Sequence, residues 1–169
     1  AVRAAASDAL AAFGDRALQP LVRQLSYPSE QVRDAAARGL AHMGVGAVPA
    51  LVRLLDSTSA TGRSEAAETL AAIGAPAVPA LVGLVAGDAM LGERTATRLE
   101  SAAAALTRIG APAVRELVAA YAGADPPTQA RLVGILRQMG DDVFDALGAI
   151  VADPRQRSGS TRRHPRRCR

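Results

Sequence analysis

The chain predicts an all-α solenoid, a right-handed α-α superhelix of about five helix pairs. Three observations predict it. Gly14, Gly44, Gly74, Gly110 and Gly140 recur at intervals of 30, 30, 36 and 30 residues, a fixed period that marks stacked repeats. Leu10, Leu40, Leu70, Leu106 and Leu136 stand four residues before each glycine, and Leu21, Leu51, Leu81, Leu117 and Leu147 stand seven residues after it.

The first kind of element is the segment that each glycine closes. Phe13, Met43, Ile73, Ile109 and Met139 immediately precede the glycines, and Ala6, Ala36, Ala66, Ala102 and Leu132 lie four residues before the leucines. Spacings of three and four place these side chains on one face of a helix. The glycine follows the last apolar position, where a helix usually ends in a left-handed residue that glycine adopts without steric cost.

The second kind of element follows each glycine. Leu18, Val48, Val78, Val114 and Phe144 lie three residues before its central leucine, and Leu25, Leu55, Val85, Tyr121 and Val151 four residues after it. This too is helical spacing. Pro49 and Pro79 fall near the start, where first-turn amides lack intrahelical partners and a missing N–H does no harm. Each repeat is thus read as a helix, a tight turn at the glycine, and an antiparallel helix. Neither helix buries its stripe alone, so neighbouring pairs must share one core. The 39 alanines favour helix and allow close helix approach.

The segments VRDAAARGLAHMG, GAVPALVRLL and GRSEAAETLAAIGAPAVPALVGLV resemble HEAT-like repeats of the short, phycobilisome-lyase type, over residues 1 to about 152. The resemblance implies a HEAT/armadillo-type solenoid whose glycine-terminated helices line a concave surface. It also implies a non-enzymatic protein-protein interaction scaffold, part of a larger bacterial-type polypeptide. An auxiliary domain or subunit of a phycobilin-lyase-like enzyme is the alternative. On that surface the candidate binding residues are Asp34, Arg38, His42, Glu65, Glu68, Glu100, Arg108, Arg131 and Gln138, with Asp8 and Arg137 beside them. Between these charges the face is mostly alanine, a shallow bipolar groove suited to a protein or peptide segment rather than a small molecule.

Charge divides the chain in two. Residues 1–152 hold thirteen arginines against fifteen carboxylates, a net of −2, and residues 153–169 hold seven arginines against Asp153, a net of +6. The expected organisation is a solenoid over 1–152 and a basic, disordered tail over 153–169. Nucleic-acid binding is therefore expected only through the tail. The first helix has no upstream neighbour to cover Val2, Leu10 and Phe13, which makes it a candidate surface for self-association. Arg3, Arg33 and Arg63 share one position in successive repeats; bridging between repeats is favoured over a ligand-binding ladder. The longer 36-residue interval places a six-residue insertion around residues 86–97, with Met90 and Leu91 in it.

Other chemistries find little support. Cys168 is the sole cysteine, His42 and His164 are the two histidines, and lysine is absent. No metal site, cofactor or catalytic residue is expected. The uncharged run from Thr69 to Gly87 is long enough to cross a membrane, but Gly74, Pro76 and Pro79 interrupt it, and no span is expected. The N-terminus has no signal-peptide pattern, which makes the cytoplasm the expected location.

Overall fold

The computed structural model describes residues 15–87, 93–140 and 143–144. The expectations for the first helix, for Met90 and Leu91, and for the basic tail lie outside the described residues, as do Asp8, Leu147 and Val151. The described helices are α1 (Asp15–Gln24), α2 (Glu30–Met43), α3 (Val48–Leu54), α4 (Ala60–Ile73), α5 (Val78–Gly87), α6 (Glu93–Ile109), α7 (Ala111–Gly123) and α8 (Pro126–Gln138), with no strand among the described residues.

They form two layers. Helices α2, α4, α6 and α8, which end at or just before the glycines, stack in sequence, and α1, α3, α5 and α7 stack beside them. The core lies between the layers. One side supplies Leu40, Leu70, Leu106 and Leu132, the other Leu21, Leu51, Leu81 and Leu117, each at most 2% exposed. At roughly 1.5–3 kcal/mol per buried leucine, these two leucine columns are a large apolar contribution to each pair. The core runs unbroken along the stack, as expected when no repeat can close its own.

The pairing of helices corrects the sequence reading. The helices that pack directly on one another across the layers are α1 with α2, α3 with α4, α5 with α6 and α7 with α8, pairs that none of the glycines separates. At Gly74 the chain bends by 117° between α4 and the segment Ala75–Gly87, and helices on either side of such a bend touch mainly through the turn between them. Gly44, Gly74, Gly110 and Gly140 all have positive φ, from 58° to 75°. At Gly44, Gly74 and Gly110 ψ is −129° to −138°, so these three sit outside the left-handed helical well in a region that side chains strain to enter. The Gly74 and Gly110 N–H groups close the helix on the carbonyls of Leu70 and Leu106 at 3.1 Å. Their own carbonyls accept from Ala77 and Ala113 at 2.9 Å, starting the next turn.

That next turn exposes a column the sequence reading passed over. Ala17, Ala47, Ala77, Ala113 and Val143, three residues past each glycine, are all buried. Phe144, expected in the core, is instead 74% exposed, although Val48, Val78 and Val114 at the same place in earlier repeats are buried. Tyr121 is 40% exposed.

The 36-residue interval is partly absorbed by a helix. α6 has 17 residues where α2 and α4 have 14, and all three reach the residue before their glycine, so the extra turn is added at the start. The run Thr69–Gly87 breaks at Gly74, as its glycine and prolines require. One continuous helical run among the described residues, Glu30–Leu54, has the length and apolarity of a membrane span; it contains the Gly44 turn, and 39% of its most apolar window is buried inside the fold.

Candidate functional site: the face of α2, α4 and α6

Polar turns and arginines set the spacing of this face. Arg33 donates from Nε to Glu65 Oε1 at 2.7 Å and from Nη1 to the Tyr27 and Pro28 carbonyls, each at 3.0 Å. One guanidinium thereby ties its own turn to the next repeat. Arg63, the equivalent residue, donates to the Ser57 carbonyl at 2.6 Å, and Arg98 pairs with Asp56 at 3.2 Å. Bridging between repeats, the favoured reading of the arginine column, is what Arg33 does.

At the same edge Ser59 caps α4, its Oγ accepting from the Gly62 N–H at 3.1 Å. Gly62 is the close-approach glycine of the fold: a Cβ there would run into the Ser26 hydroxyl of the preceding turn. The turn of one repeat thus rests on the first turn of the next.

Two hollows of about 300 Å³ lie on this face, one on each side of α4. The first, between α2 and α4, is lined by Asp34 and Arg38 on one wall, Glu65 and Glu68 on the other, and Ala37, Ala41 and Ala72 on its floor, with Arg108 closing one end. The second, between α4 and α6, is lined by Arg63, Ser64, Glu68, Thr97, Glu100, Ser101 and Arg108 around Ala60, Ala67 and Ala104. Glu68 and Arg108 belong to both. Their ion pair, 3.1 Å long with both side chains about half exposed, is the ridge that divides them.

Six of the nine expected residues therefore come together: Asp34, Arg38, Glu65, Glu68, Glu100 and Arg108. Glu65 lines the first hollow but is held by Arg33, so its charge is largely spoken for. His42, Arg131 and Gln138 line neither hollow. Arg131 has a structural task instead. Its Nη2 donates to the Thr128 hydroxyl at 2.7 Å, and hydrogen bonding from that hydroxyl, with Arg131 nearby, holds the Asp125 carboxyl below its usual range at the N-cap of α8. Sequence reasoning missed Ser64, Thr69, Thr97 and Ser101 as lining residues. Their signal was position, since they occupy the same helix face as the charges, one turn away or one helix over.

Both hollows are open and shallow, and among the described residues no three His, Cys, Asp or Glu side chains are grouped to hold a metal. The floors offer alanine methyl groups, and the rims carboxylates, hydroxyls and guanidinium groups.

Stacked helix pairs, a shared core, inter-repeat clamps and one grooved layer define the class: an α-solenoid of short helical repeats. The family model for HEAT repeats matches residues 1–57 and again 18–98, more than half of the 169-residue chain, and the chain belongs to that family. The match is to HEAT repeats at large. α6, α7 and α8 continue the stack beyond most of the matched region with the same layering. Comparison with curated proteins finds no match.

Proposed function

We propose that the chain is a non-enzymatic protein-interaction module whose α2–α4–α6 face receives a segment of another protein. HEAT repeats commonly serve as interaction scaffolds, and solenoids bind along extended surfaces. The observation that carries the reading is the pair of adjoining hollows, each about 300 Å³, with alanine floors and charged rims of both signs. A small-molecule site buries most of its ligand in an enclosed pocket. Here a side chain from a crossing segment would enter each hollow while its backbone passes over the Glu68–Arg108 ridge.

The test is a charge exchange. Swapping the ridge in the double variant Glu68→Arg/Arg108→Glu keeps an ion pair but reverses its polarity, so the fold stays intact and the rim presented to a partner changes sign. Capture of partner proteins from the source lysate should weaken, with a changed salt dependence. Unchanged capture, or turnover of a bilin or other small molecule by the pure chain, would contradict the reading.

A further inference from the structure

The opposite layer carries its own hollow, of about 460 Å³, between α1 and α3. Val22 and Leu54 form half-buried apolar walls, Ala50 lies at its base, and Gln19 and Arg53 supply its polar edge. Arg23 stands nine residues after Gly14 as Arg53 stands nine after Gly44. The two occupy equivalent places on stacked helices, which puts their Cα atoms about one helix spacing, roughly 8–10 Å, apart. Arg16 lies seven residues before Arg23 on α1, two helical turns along the same side.

These three arginines are exposed, and among the described residues their guanidinium groups make no hydrogen bond or ion pair. The sole acidic residue within α1 and α3 is Asp15, the first residue of α1. Asp56, just beyond α3, is taken by Arg98. Helix polarity does not account for the surplus. Arg23 and Arg53 lie in last turns, which suits the helix dipole, but Arg16 is in a first turn, where a cation is unfavourable. The grooved layer differs, because there Glu65 and Glu68 answer Arg33 and Arg108 directly.

We propose that this α1–α3 surface is a second docking site, which takes an acidic protein segment. Charge complementarity selects the sign, and the walls select the shape. A glutamate side chain would lay its methylenes on Val22 and Leu54 and place its carboxylate between Gln19 and Arg53, where a guanidinium binds two oxygens at once. Arg23 and Arg16 then meet carboxylates further along the segment. The site is separate from the α2–α4–α6 face, so the module can hold two partners on opposite sides.

Fluorescence anisotropy of the full chain with a fluorescein-labelled peptide of repeating Glu-Glu-Leu tests this, with a Gln-Gln-Leu peptide as control. The acidic peptide should bind in a salt-sensitive manner, and the double variant Arg23→Glu/Arg53→Glu should bind about tenfold more weakly. Arg115→Glu, a reversal on α7 that lines none of the hollows, should bind as wild type, and circular dichroism should show unchanged helicity in both. Equal binding by the double variant would overturn the proposal and assign the affinity to the arginines of residues 153–169. No salt-sensitive binding at all would also overturn it. So would tighter binding of a single-stranded DNA 20-mer through Arg23 and Arg53, which would make the surface a phosphate site.

Discussion

At residue scale the glycines separate into kinds that the sequence does not distinguish by name. Gly74 has φ +75° with open space where a Cβ would be, whereas Gly83, inside α5, has open space and no positive φ. Gly74→Ala should therefore destabilise by about 1–3 kcal/mol through backbone strain alone. Gly83→Ala should be neutral or stabilising by up to about 1 kcal/mol, as glycine within a helix is entropically unfavourable. Urea titration of the two variants checks both signs. Leu70 and Glu68 make a similar contrast two residues apart. Leu70 is fully buried and Glu68 exposed, so Leu70→Ala should cost about 2–5 kcal/mol, and Glu68→Ala within about 0.5 kcal/mol of zero.

Asp125, at the N-cap position of α8, gives a pH prediction with a definite sign. Its folded pKa is lowered, chiefly by the Thr128 hydroxyl, so its contribution is present above the ordinary carboxylate pKa of about 3.9 and is lost as pH falls through the folded value. Thermal melts between pH 6 and pH 3 should show a smaller acid-induced loss in Asp125→Asn than in wild type. An identical loss would mean that the carboxylate is not held by the Thr128 hydroxyl.

At the scale of elements, the polar turns determine how repeats register on one another. Arg33 is 17% and Glu65 19% exposed, so their bond is partly shielded from water, and Arg33 also carries two turn carbonyls. Arg33→Ala should cost about 1–2 kcal/mol, whereas Arg23→Ala on the exposed layer should lie within about 0.5 kcal/mol of wild type. Chemical denaturation checks the difference. The same elements show what sequence makes legible. Apolar periodicity reveals which side of a helix is buried, and every predicted leucine that is described packs inward or against the core. It does not reveal which turn folds two helices together, because that depends on the bend at Gly74 and on contacts such as Gly62 with Ser26. Alanine columns are hard to read for a related reason. A buried alanine and an exposed one look alike in a sequence that is rich in both, so the position three residues after each glycine became visible only in the packing.

Over the whole molecule, the candidate site was legible as a face and not as a list. Reading polar positions off glycine-terminated helices collected Asp34, Arg38, Glu68, Glu100 and Arg108, which do converge, together with His42, Arg131 and Gln138, which do not line the hollows. Convergence depends on the neighbouring helix, and one helix's pattern carries no information about its neighbour's. Arg131 and Glu65 occupy the same place relative to their glycines, nine residues before, and both are committed to bonds within the fold. The interaction reading rests on the open positions between them, and filling those positions tests it most directly. Ala72 and Ala104 are exposed on the floors of the two hollows, and Ala80 is exposed on α5 in the other layer. The variant Ala72→Trp/Ala104→Trp should keep its helicity and melting temperature while losing capture of the partner, and Ala80→Trp should capture as wild type does. Undiminished capture by the filled variant, or equal loss in Ala80→Trp, would contradict the account.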